Sequence, residues 1–455
     1  MNYTWLLKSQ KKFFYTGVTC DLTFRKRQLK KLRGLITENH EQLCDALEQD
    51  FGKPKFEAYG AEIATVLKEI DFHLKNVDKW AKPVTANGSL LTFPSRNKIY
   101  PQPRGTTLII SPWNYPVYLS LMPLIGAISA GNCAILKPSE LVPNISGTLS
   151  ALINRVFGQE YIMAANGGVE ISKALLKEKF DYIFFTGSNR VGKIVMRAAA
   201  ENLTPLTLEL GGKSPAIVHE DADIEIAARR IWWGKYLNAG QTCVAPDYVV
   251  VHEDVRSDFI RESRKVIREF IGEDEEMLNS MTRILNREHF NRLKELVDHS
   301  YVVIGGESDH DTRYISLTLV KSAWESTEMD DEIFGPILPM ITFKDMDKLI
   351  SRLQEMPSPL ALYLFTSRNK VKQKVIRKIP FGGGCINETV SHLGTPHLPF
   401  GGTGSSGFGT YHGKYSFQTF SHLKSILDKP VWPDLPYRYP PYSNKKFSLF
   451  KKIFS

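Results

Sequence analysis

Short apolar runs of strand length alternate with stretches of helical length through most of this chain. In the first half these runs are TTLIIS (106–111), CAILK (133–137), YIMAA (161–165) and YIFFTG (182–187). Continuous apolar runs of this length are typical of strands that are buried on both faces of a parallel sheet. Parallel strands need long crossover connections, so the pattern predicts an α/β fold with helices on both sheet faces.

A second series of the same kind follows from about residue 210. Its predicted elements are SPAIVH (214–219), DYVVVHE (247–253), a charged helix over 255–271, YVVIGG (301–306), ILPMITF (337–343) and LALYLFT (360–366). Apolar spacing also predicts two amphipathic helices before the first series, one over 29–47 and one over 63–77. At 455 residues the chain exceeds one hydrophobic core. We therefore expect two consecutive α/β domains that share a cleft at the carboxyl ends of their strands.

Composition narrows the classes of function. The net charge is +9, but basic residues are spread along the chain among acidic ones, which argues against a nucleic-acid partner. The five cysteines lie far apart without a CxxC pair, which predicts a reducing compartment, no disulfide framework and no metal site. No signal-peptide core opens the chain, and prolines and glycines break the uncharged run 105–136. We expect a cytoplasmic protein.

The tail 444–455, NKKFSLFKKIFS, alternates lysine pairs with large apolar residues. It is too short to span a bilayer, but a basic amphipathic segment can lie on an acidic membrane surface. A tail that frays or docks on its own protein fits the pattern equally well. Peripheral membrane contact through 444–455 is therefore one of two open interpretations.

Cys243 lies among small and polar residues in LNAGQTCVAP (237–246). A nucleophilic cysteine must be accessible and must reach the thiolate form, and small neighbours leave room for a substrate. The preceding ARRIWWGKYL predicts a helix that ends near Gly240. A single cysteine in a loop is more often inert, so this motif alone leaves both interpretations open.

Two further motifs suit the same chemistry. Glu209 ends an apolar strand in TLELGGKSPAIV (207–218), where partial desolvation raises a carboxyl pKa toward that of a general base. The alternative is an ion pair with Lys213. Asn114 lies between two prolines in SPWNYP, where a rigidly held amide can donate to a developing oxyanion. The alternative is a cap on the following helix.

Two strand ends indicate a dinucleotide. In FFTGSNRVGK (184–193), Gly187 and Gly192 flank the start of a helix, which allows a pyrophosphate to approach its N-terminus. The spacing is not GxGxxG, so this fingerprint is weak by itself. In ILKPSE, Lys137 and Glu140 follow a strand and suit the two ribose hydroxyls of an adenosine.

Together with EIFGP (332–336) and PFGGTGSSGFG (399–409), these motifs in this order closely resemble the aldehyde dehydrogenase superfamily. The resemblance covers about residues 4 to 443. The RYPPY segment (438–442), the GKYLNAGQTC wording and the compact length are similar to the class 3 branch, which includes fatty and aromatic aldehyde dehydrogenases.

The resemblance implies a role for each matched residue. Cys243 matches the nucleophile, Glu209 the general base, and Asn114 the oxyanion donor that acts beside the Cys243 backbone N–H. The implied cofactor contacts are Lys137, Glu140, Gly187, Ser188, Gly192, Leu210, Glu332 and Phe334, and Lys235 matches a polar residue near the cysteine. The expected substrate pocket consists of Tyr115, Tyr118, Leu119, Trp233 and Tyr236, although aromatic residues fill cores as readily as pockets.

The implied reaction is NAD(P)-dependent oxidation of a medium or long aliphatic aldehyde, or an aromatic one, to the carboxylic acid. NAD is the expected cofactor, and Arg190 in the pyrophosphate loop keeps NADP open. A CoA-acylating enzyme is an alternative, but the carboxylate at position 209 favours hydrolysis. A relative without turnover is a second alternative, which the competent residue at every catalytic position argues against.

The resemblance also implies a Rossmann-type cofactor domain, an α/β catalytic domain and a small bridging arm. The expected cofactor domain is 1–208, interrupted by a bridging segment at about 82–100, and the catalytic domain is 209–395. Residues 396–443 form the bridging and C-terminal segment before the basic tail 444–455. The arm, made by about 82–100 and 400–429, implies a homodimer.

Overall fold

A computed structural model describes residues 2–89, 92–272, 280–434 and 438–454. Its α-helices are Tyr3–Tyr15, Leu22–Glu38, His40–Phe51, Thr65–Trp80, Pro116–Ala130, Pro143–Val156, Val169–Leu176, Asn189–Glu201, Ile224–Tyr236, Arg256–Ile271, Arg287–His299, Met346–Glu355, Asn369–Lys378, Gly413–Thr419 and Asn444–Phe454. A short α-helical turn, Lys55–Glu57, and a π-helical segment, Ala58–Ala64, precede Thr65–Trp80.

The strands carry the labels used below. They are β1 (Val84–Ala86), β2 (Arg96–Pro103), β3 (Thr106–Ile110), β4 (Cys133–Lys137), β5 (Ile162–Ala164), β6 (Tyr182–Thr186), β7 (Leu206–Glu209), β8 (Pro215–Val218), β9 (Tyr248–His252), β10 (Tyr301–Ile304), β11 (Ser308–Asp309), β12 (Tyr314–Ile315), β13 (Thr318–Lys321), β14 (Ile337–Phe343), β15 (Ala361–Phe365), β16 (Gly383–Ile386), β17 (Gly407–Phe408) and β18 (Ser421–Asp428).

The first large sheet has the order β17-β7-β6-β3-β4-β5. Strands β3 to β7 are parallel, and short β17 pairs antiparallel with β7 at the edge. The chain adds strands first on one side of β3 and then on the other, so the strand order reverses there. Ligands of such sheets bind outside the carboxyl ends of the strands at the reversal. The predicted α/β class is confirmed, with buried apolar strands at the predicted positions.

The second large sheet has the order β10-β13-β14-β9-β8-β15-β16. Its strands are parallel except for β10, which pairs antiparallel with β13. Residues of β8, β9 and β15 are fully buried, which explains why their sequences are continuous apolar runs. Helices cover the faces of each large sheet. Because most strands of a sheet are parallel, their carboxyl ends lie together at one end of that sheet.

A third sheet, β1-β2-β18, joins two distant parts of the chain. Strand β18 pairs antiparallel with β2 along its whole length, from Ser421 opposite Pro103 to Asp428 opposite Arg96. The side chains of β18 are exposed after its first residue. The segments of the predicted arm thus form a ribbon, although β17 within 400–429 belongs to the first large sheet. The predicted domain boundaries stay a prediction.

The N-terminal region differs from the expected two helices. The apolar pattern over 29–47 is divided at Asn39 between two helices, Leu22–Glu38 and His40–Phe51. A further helix, Tyr3–Tyr15, precedes them and was not predicted. It packs on the first sheet through Leu6, Leu7 and Gln10, and the Gln10 amide donates to the Ala134 carbonyl of β4. This helix buries only one narrow stripe of side chains, so its sequence has too few regularly spaced apolar residues to predict it.

The uncharged run 105–136 folds as β3, the helix Pro116–Ala130 and β4. All fifteen residues of that helix are buried. A helix that is covered on every side has no need of charged residues, which explains the run. Its N-terminus begins immediately after Asn114 and Tyr115, so a rigid core element fixes the position of the SPWNYP motif.

Among the described residues, no helix combines the length and the apolar character that crossing a membrane requires.

Candidate active site

The three candidate catalytic residues come together at the carboxyl ends of the first sheet. Glu209 is the last residue of β7. The amide nitrogen Nδ2 of Asn114 lies 3.1 Å from the carbonyl oxygen of Gln241, two residues before Cys243. Both Glu209 and Glu332 are close enough to Cys243 to raise the pKa of its thiol by charge repulsion. The structure therefore assembles one site from parts of the chain that are far apart in sequence.

The turn before Cys243 has an unusual backbone. Asn238, Ala239 and Gly240 are consecutive residues with positive φ, at 52°, 52° and 72°. A Cβ on Gly240 would lie 2.2 Å from the carbonyl oxygen of Gly335, so glycine is required there. Left-handed conformations cost free energy in residues other than glycine, and such strain occurs mostly at functional sites. The turn is thus imposed by its surroundings.

Hydrogen bonds from buried side chains hold this turn. The side-chain amide of Gln241 donates to the carbonyl oxygens of Asn238 and Arg283, each at 3.0 Å, and its oxygen accepts from the Leu285 N–H at 2.9 Å. The preceding helix ends at Tyr236, four residues before the predicted end near Gly240, because the backbone becomes left-handed from Asn238 to Gly240. The Cys243 loop is therefore fixed at both sides.

The Cys243 thiol faces a desolvated environment. Burial raises its pKa to about 12, and the nearby carboxylates of Glu332 and Glu209 act in the same direction. Backbone N–H groups at Cys243 and Val244 oppose this increase by hydrogen bonding to the sulfur. In this state the thiol is protonated at neutral pH, so nucleophilic attack requires a base.

Glu209 has the properties of such a base. It is 2% exposed, and within the described residues neither carboxylate oxygen has a hydrogen-bond partner. Burial raises its pKa well above the ordinary value of a glutamate. The alternative pairing with Lys213 is wrong, because the Lys213 ammonium instead lies 2.5 Å from the Asp247 carboxylate. The Glu209 carboxylate is therefore left without a hydrogen-bond partner among the described residues.

Asn114 is 3% exposed and does not cap the following helix. The helix Pro116–Ala130 has Tyr115 at its N-cap position, without a hydrogen bond from a side chain. The capping alternative is therefore wrong. The amide of Asn114 points instead toward the Cys243 loop, and its backbone carbonyl accepts hydrogen bonds from Lys53 Nζ at 3.2 Å and Asn238 Nδ2 at 2.9 Å.

Gly187 and Gly192 of the FFTGSNRVGK motif lie at the start of a helix whose N-terminus is exposed. Ser188 is the N-cap of Asn189–Glu201 and accepts from the Val191 N–H at 3.4 Å. A Cβ on Gly187 would lie 2.6 Å from the Phe185 ring, and one on Gly192 would lie 2.7 Å from Leu210. The exposed helix start and these close approaches fit a dinucleotide pyrophosphate.

Lys137 and Glu140 lie at the end of β4, next to β3 in the same sheet. The Lys137 side chain is 1% exposed, and its ammonium lies 3.0 Å from the Glu140 carboxylate. The half-buried Glu140 faces outward from this pair. An ammonium and a carboxylate together at a strand end fit two adjacent ribose hydroxyls.

Glu332 and Lys235 lie near the Cys243 loop, and Phe334 is two residues after Glu332. A Cβ on Gly211 would lie 2.1 Å from a Glu332 oxygen, and burial raises the pKa of Glu332 to about 8. The Phe334 ring packs edge to face against Trp113 at 5.5 Å. Lys235 is fully buried, its ammonium has no hydrogen-bond partner among the described residues, and burial lowers its pKa to about 8.

An apolar cavity of about 730 Å³ opens onto Cys243. All five residues of the expected substrate pocket line it: Tyr115, Tyr118, Leu119, Trp233 and Tyr236. Within it the Tyr115 hydroxyl lies 2.9 Å from the Thr242 hydroxyl, and Tyr118 bonds to His412 at 2.8 Å. These aromatic residues therefore line the cavity as well as packing in the core.

Sequence reasoning missed other residues of the cavity wall. These include Phe56, Glu57, Thr242, Phe270, Val390, Leu393, Phe400 and Tyr411. Phe400 lies inside the quoted glycine-rich motif, but nothing in the motif indicates that its ring faces the cavity. The others lie outside the motifs or have no apolar pattern that distinguishes a cavity from a core.

Comparison with known proteins agrees with this geometry. Residues 10–426 match the aldehyde dehydrogenase family. The chain is 48% identical over 447 residues to 4,4'-diaponeurosporen-aldehyde dehydrogenase of Staphylococcus aureus, covering 98% of this chain and 97% of the relative. It is 42% identical over 438 residues to the dimeric NADP-preferring aldehyde dehydrogenase of Rattus norvegicus, covering 96% and 97%. The substrate-bound structure of Staphylococcus aureus AldH superposes with a TM-score of 0.97, at 47% identity and full coverage of both chains.

The chain therefore belongs to the aldehyde dehydrogenase family, and it is an oxidoreductase that acts on aldehydes with NAD(P). This confirms the resemblance read from the motifs, including the class 3 branch. It also favours an enzyme over a relative without turnover.

Proposed function

We propose that this enzyme oxidises apolar aldehydes to free carboxylic acids through a covalent bond to Cys243. The proposal rests on a partly exposed thiol in the wall of an apolar cavity. The charge of Glu209 acts on that thiol, and this buried carboxylate has no hydrogen-bond partner among the described residues. A lone buried carboxylate is unfavourable unless a proton or a water molecule comes to it. Such a group is suited to general base catalysis.

The first bond forms at the sulfur. Glu209 takes the thiol proton of Cys243, because burial has raised the pKa of this carboxyl group. The thiolate then attacks the aldehyde carbon, forming a C–S bond and moving the carbonyl electron pair onto oxygen. Asn114 Nδ2 and the Cys243 backbone N–H donate to that oxygen. Because negative charge develops there only as the bond forms, these donors stabilise the transition state more than the aldehyde.

A nicotinamide dinucleotide, when bound, would supply the acceptor for the hydride that the adduct must lose to become a thioester. Glu332 and Phe334 would hold its nicotinamide ribose and ring, Gly187, Ser188, Gly192 and Leu210 its pyrophosphate, and Lys137 with Glu140 its adenosine ribose.

The Glu140 carboxylate favours NAD over NADP. It can accept a hydrogen bond from a ribose 2′-hydroxyl, and it repels a 2′-phosphate. The exposed Arg190, next to the pyrophosphate loop, offers a compensating positive charge for NADP. We therefore propose NAD as the main cofactor, with NADP as a slower alternative.

Hydrolysis completes the reaction. After returning its first proton to solvent, Glu209 takes a proton from water as that water attacks the thioester carbonyl. The same two donors stabilise the second oxyanion. As it collapses, the acyl C–S bond breaks, the carboxylic acid is released, and the sulfur stays on the enzyme as the Cys243 thiolate. A carboxylate at this position favours water over CoA as the attacking group.

The cavity favours medium to long aliphatic aldehydes, or aromatic ones. Its wall is apolar and aromatic, with a volume of about 730 Å³. An apolar wall gains about 0.8 kcal/mol for each CH₂ group that it removes from water. Binding should therefore improve with chain length until the cavity is filled.

Purified enzyme mixed with aldehydes of increasing chain length should form reduced cofactor faster with NAD⁺ than with NADP⁺. The rate should rise with chain length, and free acid should form without added CoA. The Cys243→Ala variant should form neither reduced cofactor nor acid, because no thioester can be made. Absorbance of the reduced nicotinamide measures the first product, and acid titration measures the second. Turnover that depends on CoA would replace hydrolysis by acyl transfer.

Changing Glu209 to Gln should lower kcat by about 10²- to 10⁴-fold, the usual contribution of a general base. In the native enzyme kcat should increase with pH through an apparent pKa above that of an ordinary glutamate, since the ionised form is the active one. The variant should lose this dependence. Stopped-flow absorbance across pH measures both, and an unchanged pH profile in Glu209→Gln would contradict the assignment.

A homodimer is proposed through the arm. Leu423, Ile426 and Leu427 on β18 are exposed, and within the described residues this edge strand pairs only with β2. An open apolar edge invites another chain, and the rat relative is named as dimeric. Light scattering at micromolar concentration should give twice the chain mass; a monomer would contradict the proposal.

The tail is proposed to contact anionic membranes, with the enzyme otherwise in the cytoplasm. Residues Asn444–Phe454 form a helix on which Phe447 is 61% and Leu449 46% exposed, with lysines at both ends. Apolar and basic groups together bind anionic lipid surfaces. The protein should sediment with phosphatidylserine vesicles and not with phosphatidylcholine vesicles. Removal of residues 444–455 should abolish this sedimentation. Equal binding after the removal would show that another part of the protein contacts the vesicles.

A further inference from the structure

Three ionisable side chains are buried beside the segments that carry the oxyanion donors and have no part in the steps above. We call Lys53, Glu57 and Glu62 the support cluster. Lys53 and Glu62 are 0% exposed and Glu57 is 8% exposed. Removing charged groups from water costs free energy that an ion pair rarely recovers in full. Their presence therefore requires a reason other than stability.

Lys53 and Glu62 act on the Asn114 side. The Lys53 ammonium lies 2.6 Å from Glu62 Oε1 and donates to the Asn114 carbonyl at 3.2 Å. Glu62 Oε2 accepts from the N–H groups of Val117 and Tyr118 at 2.8 and 3.3 Å. These N–H groups belong to the first turn of Pro116–Ala130, which offers unpaired donors and positive potential. The ion pair thus fixes the backbone on both sides of Tyr115.

Glu57 acts on the Cys243 side. Its Oε1 accepts from the Asn238 N–H at 2.6 Å, and its Oε2 accepts from the Thr282 hydroxyl at 3.3 Å. Asn238 is the first residue of the left-handed turn, so this carboxylate stabilises a conformation that the chain would otherwise avoid. The Asn238 amide donates in turn to the carbonyl oxygens of Asn114 and Gln241.

The π-helical segment explains how one short stretch reaches both sides. Residues 58–64 form this segment, whose hydrogen bonds join residues five apart. Glu57 and Glu62 are five apart and serve opposite donors of the same oxyanion site. Single π-turns occur mostly at functional sites.

We propose that the support cluster positions the two oxyanion donors, with the Lys53–Glu62 pair holding Asn114 and Glu57 holding the turn before Cys243. The inference rests on the proposed role of Asn114. Lys53 and Glu62 act through Asn114, so they are positioning residues that control the chemical step without contacting the aldehyde.

A double-mutant cycle tests whether the ion pair acts through Asn114. The first variant is Lys53→Met with Glu62→Gln, which removes the two charges of the ion pair together, so that neither member is left buried without the other. It is measured in the native background and in Asn114→Ala. The control is Asp71→Asn, which breaks the exposed ion pair with Arg33 on the same helical layer.

Asn114→Ala should lower kcat by about 10²- to 10³-fold, the effect of removing one oxyanion donor. The pair variant should lower kcat by about 10- to 100-fold in the native background, with the aldehyde KM, the affinity for NAD⁺ and the pH dependence retained. In the Asn114→Ala background the same change should lower kcat less than about 2-fold, because the donor that it positions is gone. Asp71→Asn should have native kcat.

Equal losses in the two backgrounds would overturn the inference and leave the role of Asn114 standing, as would a native kcat in the pair variant. An unchanged kcat in Asn114→Ala would overturn the oxyanion role itself and the inference with it. Should the pair variant fold poorly, Glu62→Gln alone, which keeps an acceptor oxygen for the Val117 N–H, is measured through the same cycle with the same expected direction in each background.

Discussion

Desolvation around Cys243 is the physical constraint on which the rest of the site depends. It raises the pKa of the thiol to about 12 and that of Glu209 well above an ordinary glutamate, while it lowers the pKa of Lys235 to about 8. Each shift favours the neutral form of the group. Only the ionised form of Glu209 can therefore act as the base, and burial increases its affinity for the proton. In the same space, fixed donors strongly stabilise a developing oxyanion.

A site that depends on desolvation must also be rigid, because misplaced dipoles cannot be replaced by water. The fold meets this need with a completely buried helix at one donor and a strained turn at the other. The buried side chain of Glu62 accepts from N–H groups of the first turn of the helix, and that of Gln241 donates to the Asn238 carbonyl oxygen of the strained turn. Rigidity and function thus come from the same hydrogen bonds, and the strain of the turn is balanced by its neighbours.

The sequence predicted the fold well where a single physical cause controls a pattern. Strands buried on both faces must be continuous apolar runs, so β3, β4 and β6 were identified almost to the residue. The fully buried helix Pro116–Ala130 was expected after Asn114 but without bounds, and Tyr3–Tyr15 was missed because its buried stripe is narrow. The catalytic candidates came from short motifs and were brought together by the structure, while their roles stay proposals.

The parts that the sequence did not predict depend on contacts between distant segments. The alternative roles for Glu209 and Asn114 were decided by where Lys213 and Tyr115 lie, which no local pattern encodes. Phe400 and Tyr411 reach the cavity from more than 150 residues after Cys243. Lys53, Glu57 and Glu62 lie in an ordinary polar stretch of sequence, and only their burial shows that they serve the site.

The central claim is that the substrate becomes covalently bound to Cys243 and that Glu209 releases it. Peptide mass spectrometry of the Glu209→Gln variant, quenched after mixing with an aliphatic aldehyde and NAD⁺, tests this directly. The mass of the acyl group should accumulate on the peptide containing Cys243. Absence of the adduct while reduced cofactor forms, or an adduct on another residue, would contradict it.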